Sequence, residues 1–142
     1  MPHISEDALA VARINVDKHA LGARITVVQS DLLAGVRGPY DLIVCNPPYV
    51  NTQSMQALPP EYRAEPALAL AGGDDGMDFV RVILRDAPAH LATNGVLVLE
   101  IGNERAHFEH AFRRLEVAWL ETSAGADQVL LVTRDALARW AR

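Results

Sequence analysis

The amino-acid sequence predicts an α/β fold with a mostly parallel sheet. Short runs of β-branched residues alternate along the chain with longer amphipathic segments, which is typical of α/β proteins. Residues 95–101 (GVLVLEI) are almost continuously apolar, as in a strand covered on both faces of a parallel sheet. The 142 residues are 50% hydrophobic and 22% charged, an ordinary globular composition. This length predicts one domain over residues 1–142.

The first half of the chain predicts one helix and two strands, followed by a long loop. A helix over residues 5–21 begins with Ser5 as its N-cap and ends before Gly22. Residues 24–29 and 40–45 are short β-branched runs bounded by turn residues, and both predict strands. Residues 51–76 are rich in proline and glycine, and a loop of that length in a compact domain is usually functional.

The second half predicts helices over residues 77–91, 104–115 and 135–142, with Pro88 near the end of the first. Asp75 is placed to cap that first helix. Strands are predicted over residues 95–101, 117–121 and 128–133. Ligands of open α/β sheets bind at the carboxyl ends of strands, so the residues directly after each strand are the candidates for a site. These are residues 30–31, 46–49 and 102–103.

Charge and cysteine content exclude several classes of function. The formal charge of −5 disfavours non-specific nucleic-acid binding and would steer basic partners toward the protein. A single cysteine, Cys45, allows no intrachain disulfide and no cysteine-based zinc site, and we expect it to be a small buried residue. His107 and His110 indicate a solvated helix face, so no metal site is predicted. Neither a signal peptide nor an apolar run near the ~20 residues of a membrane span occurs, which predicts a cytoplasmic protein.

The sequence Asn46-Pro47-Pro48-Tyr49 directly follows the predicted strand over residues 40–45. Two consecutive prolines fix two φ angles and remove two backbone donors, so the turn is stiff. The side-chain oxygen of Asn46 and the carbonyl of Pro47 then become fixed acceptors beside the ring of Tyr49. Such a set suits a planar NH2 group, either an amide or an exocyclic amine, whose nitrogen would be held facing an electrophile. A rigid turn without chemistry is the simpler alternative.

This sequence resembles class I S-adenosylmethionine-dependent methyltransferases that methylate planar nitrogens, whose motif after the fourth strand has the form Asp/Asn-Pro-Pro-aromatic. Within that class it looks like the glutamine-amide methyltransferases (the HemK/PrmC/PrmB family). The segments at residues 58–66 and 70–77 are similar to the branch that methylates a glutamine of large-subunit ribosomal protein L-three, with the release-factor branch second. The resemblance extends over about residues 4–133.

The resemblance implies roles for individual residues. Asn46 and Pro47 would hold the substrate amide, Pro48 would shape the pocket, and Tyr49 would pack on the substrate. Asp31 would lie near the adenine amine of the cofactor. The implied catalytic residues are Asn46, Pro47, Pro48 and Tyr49; the cofactor-binding residues are Asp31, Leu32 and Asn46; the substrate-binding residues are the same four motif residues with Glu61, Arg63, Glu65 and Pro66.

The resemblance also implies which part of the family fold the chain forms. The family's Gly-x-Gly-x-Gly motif does not occur in these residues, and His3 stands where the family has the acidic residue for the ribose. We therefore expect the C-terminal portion of a Rossmann-like methyltransferase fold, with an antiparallel final strand and without the first strand–helix–strand unit. Weak or no S-adenosylmethionine binding is expected of the 142 residues alone.

The functional prediction is methyl transfer from S-adenosylmethionine to a glutamine amide of a basic ribosomal protein. Methylation of release factors is the close alternative. Methylation of an exocyclic amine on a nucleic-acid base would require a basic groove, which the charge of −5 disfavours. The non-enzymatic alternative is an inactive truncated fold that serves as a binding module.

Overall fold

The computed structural model describes residues 2–49, 75–123 and 125–142. Within these residues the chain forms two compact units, Met1–Gly38 and Pro39–Arg142, each with its own packing. The single domain expected over residues 1–142 stays a prediction. No helix of the described ranges is long and apolar enough to cross a membrane.

The first unit contains strand β1 (Pro2–His3), helix α1 (Glu6–Lys18) and strand β2 (Val28–Gln29). The two short strands pair in parallel. Ser5 caps α1 as predicted, because its side chain accepts a hydrogen bond from the backbone N–H of Ala8 at 3.3 Å. Leu9 and Ala12 of α1 are buried and Val16 is half-buried, so this side of the helix packs within the unit.

Two boundaries in this unit differ from the prediction. Helix α1 ends at Lys18 rather than before Gly22, because Ala20 takes a left-handed φ of 53° that closes the helix. The strand predicted over residues 24–29 is wrong except for Val28–Gln29. The N–H groups of Arg24 and Ile25 both donate to the carbonyl of Leu21, so these residues form a turn instead.

The second unit is built on four strands, β3 (Tyr40–Cys45), β4 (Leu91–Glu100), β5 (Ala118–Thr122) and β6 (Gly125–Thr133). They lie in the order β3-β4-β6-β5. Strand β4 is parallel to β3, whereas β6 is antiparallel to both of its neighbours. Three of these strands therefore run in one direction and only the final strand opposes them, as expected from the sequence.

Three helices complete the second unit: α2 (Asp78–His90), α3 (Arg105–Ala111) and α4 (Arg134–Trp140). The apolar stripe of α2 is buried, and Pro88 lies inside its last turn. Thr133 caps α4 by accepting a hydrogen bond from the N–H of Ala136 at 3.1 Å. Fully buried side chains from the strands and helices form one core, and they include Ile83, Leu84, Leu97, Leu99, Phe108, Leu130 and Leu137.

Strand β4 begins at Leu91, four residues before the predicted start at Gly95. The register of β4 against β3 shifts between Tyr40 and Leu42, so the added residues form an irregular pairing. Gly95 is required there, because a Cβ at this position would lie 2.8 Å from the carbonyl oxygen of Tyr40. Helix α3 ends at Ala111, short of the predicted residue 115.

Candidate active site

The Asn-Pro-Pro-Tyr motif extends from the carboxyl end of β3. That strand spans Tyr40–Cys45 as predicted, and Asn46 follows it without a gap. Asn46 is exposed, Pro47 is buried, and Pro48 and Tyr49 are half-buried. The buried proline anchors the turn while the Asn46 side chain faces solvent, as a group that binds an external ligand would.

Tyr49 contacts the residues that end the neighbouring strand β4. Its hydroxyl donates a hydrogen bond to Oε1 of Glu100 at 3.3 Å. Its ring lies against Gly102, where a Cβ would be 2.5 Å from Cε2 and 2.9 Å from Cζ of Tyr49. Because β3 and β4 are parallel, with Cys45 opposite Leu99, the two carboxyl ends meet at one edge of the sheet.

The turn after β4 is held by backbone and side-chain bonds. The N–H of Ile101 donates to the carbonyl of Gln128, and the N–H of Glu104 donates to the carbonyl of Ile101. The Gln128 side chain also donates to Oδ1 of Asn103 at 3.2 Å. Gly102, at a left-handed φ of 53°, is therefore fixed between two tethered residues.

Cys45 lies at the end of β3, one residue before the motif. Burial raises the pKa of its thiol to about 11, because the thiolate would lose its hydration. The thiol is therefore protonated at neutral pH and has little nucleophilic character. The sequence predicted a small buried residue here, whereas Cys45 is half-buried in the structure.

Asp31 and Leu32 belong to the first unit and follow β2. The Ser30 hydroxyl donates to the carbonyl of Leu32 at 2.9 Å and accepts from the N–H of Gly35 at 2.8 Å. This tight turn leaves Asp31 exposed and Leu32 half-buried. The resemblance assigns Asp31 to the amine and Leu32 to the ring of an adenine, and both roles stay predictions.

The predicted substrate residues of the long loop, Glu61, Arg63, Glu65 and Pro66, lie outside the described residues. At the end of that segment, Asp75 accepts a hydrogen bond from the N–H of Met77 at 3.0 Å and pairs with Arg81. The guanidinium of Arg81 is the main reason that the pKa of Asp75 lies below its usual value. The prediction that Asp75 caps α2 is wrong: the N-cap is Met77, without a side-chain cap bond, and Asp75 instead holds the turn that precedes the helix.

An open cleft of about 610 Å³ in the second unit contains none of the predicted site residues. Four arginines and one glutamate line it together with Ala136 and Trp140. The charged residues are Arg113, Arg114, Glu116, Arg139 and Arg142. Within the described ranges, no three His, Cys, Asp or Glu side chains converge on a metal site.

Sequence comparisons relate this chain to methyltransferases. The family model of the methyltransferase small domain matches residues 1–59. The chain is 58% identical over 135 residues to the ribosomal protein uL3 glutamine methyltransferase of Bordetella pertussis, covering 94% of this chain and 45% of that protein. The enzymes of the same name from Burkholderia pseudomallei and Francisella tularensis are 53% and 43% identical, over 91% and 96% of this chain and 45% and 44% of theirs.

The chain is similar to class I methyltransferases over most of its length. Two solved structures share its fold. A methyltransferase from Pyrococcus furiosus superposes with a TM-score of 0.61 at 17% identity, over 94% of this chain and 60% of that one. The delta-N METTL16 methyltransferase domain superposes with a TM-score of 0.60 at 20% identity, over 92% and 59%. The chain spans less than half the length of the relatives that it matches.

The similarity to methyltransferases implies S-adenosylmethionine as the cofactor. The structure adds two residues, Glu100 and Gly102, to the candidate site. The sequence alone did not assign either of them a role. Glu100 could equally have been an ordinary strand-end charge, and Gly102 was notable only for following a strand. Both contact Tyr49. Only their position at the carboxyl end of a strand could have indicated them.

Proposed function

We propose that the protein containing this chain transfers a methyl group from S-adenosylmethionine to the side-chain amide nitrogen of a glutamine in ribosomal protein uL3. The observation that carries the proposal is the Asn-Pro-Pro-Tyr turn at the carboxyl end of β3, with an exposed Asn46 above a buried Pro47. The names of the most similar relatives supply the substrate. The acidic charge of −5 favours approach of a basic protein.

The chain's own residues would act by holding the amide. The Asn46 side-chain oxygen and the Pro47 carbonyl would accept the two amide N–H bonds, which directs the nitrogen lone pair away from both acceptors. The cofactor supplies an electrophilic methyl group on a sulfonium. When the amide nitrogen takes up the methyl group and the sulfonium leaves as a neutral thioether, positive charge would develop on the nitrogen. The two oxygens would stabilise this charge until one N–H proton passes to water.

Variants at Asn46 test this proposal. Asn46→Ala in the full protein removes one of the two acceptors, and we expect kcat for uL3 methylation to fall by about 10²–10³-fold. Asn46→Asp keeps an oxygen acceptor at the same place and should retain more activity than the alanine variant. Transfer of labelled methyl groups to purified uL3, with mass spectrometry of the target peptide, measures both.

Asn15→Ala, on an exposed face of α1, is the matched control and should leave turnover unchanged. A release factor and an oligonucleotide are offered as competing substrates in the same assay. Unchanged turnover in Asn46→Ala, or methyl transfer only to a competing substrate, would contradict the proposal.

A further inference from the structure

Neither proline geometry nor strand pairing restrains the side chain of Tyr49. The two prolines before it fix the backbone, but the χ angles of a tyrosine remain free to rotate unless neighbours restrain them. A ring that swings out of place would leave the amide pocket open on one side. Whatever restrains Tyr49 therefore helps to shape the pocket.

The end of β4 restrains the ring through Glu100 and Gly102. The hydroxyl donates to Glu100 at 3.3 Å, which is long for a bond between two oxygens. The packing on Gly102 is the tighter restraint, because the space that a Cβ would occupy there is already taken by the ring edge. The Gly102 backbone is fixed in turn by the bonds of Ile101 and Glu104.

We propose that Glu100 and Gly102 are positioning residues that hold Tyr49 in its place beside the substrate amide. Gly102 provides a flat backbone surface on which the ring lies, and Glu100 fixes the rotation of the hydroxyl. The role of Tyr49 beside a substrate amide rests on the proposed function. The contacts of Tyr49 with Glu100 and Gly102 do not depend on it.

Gly102→Ala is the most direct variant. Ordinary contact begins near 3.4 Å, and the new Cβ would lie 2.5 Å from the ring, so the ring must move by about 1 Å. A displacement of that size at a reacting group can lower kcat on the order of 10²-fold. Gly125→Ala, in the β5–β6 turn at a φ of 139°, is the matched control, because it strains the backbone without touching Tyr49. It should leave kcat within about threefold of wild type.

Glu100→Ala and Glu100→Gln keep the proposal testable if the glycine variant folds poorly. Glu100→Ala should lower kcat about fivefold with KM for uL3 nearly unchanged, whereas Glu100→Gln keeps an acceptor oxygen and should restore turnover to near the wild-type value. In a Tyr49→Phe background the hydroxyl is gone, so Glu100→Ala should have little further effect. Multiplying effects in the double variant would overturn the proposed contact.

A spectroscopic measurement separates the inference from the proposed function. The sequence has 3 tyrosines, so 3-fluorotyrosine labelling gives a fluorine NMR spectrum in which Tyr49→Phe identifies the signal of residue 49. We expect Gly102→Ala and Glu100→Ala to shift or broaden that signal, and Gly125→Ala to leave it unchanged. An unchanged signal with normal uL3 methylation overturns the inference alone. A shifted signal in a protein that methylates no glutamine overturns the proposed function and leaves the positioning of Tyr49 intact.

Discussion

Cys45 shows how burial sets the chemistry of a single residue beside the motif. The sequence predicted a small buried residue here, since the thiol ends an apolar strand. Cys45 is half-buried, and the partial loss of hydration raises the pKa of its thiol to about 11. The contacts of Tyr49 with Glu100 and Gly102 could not be predicted in the same way. They join residues about 50 positions apart, and only the register of β3 against β4 brings them together.

The raised pKa of Cys45 predicts a loss of stability at alkaline pH. The unfolded thiol titrates near 9.0 and the folded thiol near 11, so the unfolded state loses its proton first as the pH rises. The contribution to stability is complete below pH 9 and is lost between pH 9 and 11, by at most about 2–3 kcal/mol. In Cys45→Ala, the free energy of unfolding should fall less between pH 9 and 11 than in the wild type, as measured by urea unfolding at each pH. The same pH dependence of the free energy of unfolding in both proteins would contradict the raised pKa of Cys45.

The elements that the sequence predicted best are those with one unambiguous local signal. Strand β3 is a β-branched run between a Gly-Pro pair and an Asn-Pro pair, and its observed bounds match the prediction. Helix α1 was predicted too long because Gly22 is the usual residue type for a helix stop, whereas Ala20 provides the left-handed turn. The N–H of Leu21 donates to the carbonyl of Val16 across this turn. No single residue type in the sequence predicts this hydrogen bond.

The end of α1 predicts that Ala20→Gly stabilises the protein. Ala20 holds a φ of 53°, where an L-residue other than glycine is strained by roughly 1 kcal/mol and glycine is not. We expect the free energy of unfolding to rise by about 0.5–1 kcal/mol. Ala10→Gly, in the middle of the same helix, makes the same chemical change and should lower it by about 1 kcal/mol. Chemical denaturation of both variants checks the sign, and destabilisation by Ala20→Gly would contradict the left-handed cap.

At the scale of the whole molecule, the sequence predicted the direction of the strands better than their packing. The apolar run of β4 indicated a parallel sheet, and β4 does pair in parallel with β3 while β6 opposes both of its neighbours. The division of the described residues into two compact units could not be predicted from composition. The residues around Gly38, where the units meet in sequence, resemble any other turn. Local patterns specify strands and helices, whereas the boundary between units depends on contacts that are distant in sequence.

The residues that the resemblance assigns to the cofactor predict weak cofactor binding by the 142-residue chain alone. Those that the resemblance assigns are Asp31, Leu32 and Asn46, and two of the three are exposed. Exposed polar groups compete with water and contribute little net affinity, while the glycine-rich motif that would cradle the cofactor does not occur in these residues.

Calorimetric titration of the 142 residues with S-adenosylmethionine should therefore show no saturable binding in the micromolar range. The Bordetella pertussis relative, titrated under the same conditions, serves as the control. Micromolar binding by the 142 residues would contradict this expectation. Asp31→Ala should then abolish that binding, since the carboxylate is the one charged group assigned to the adenine amine.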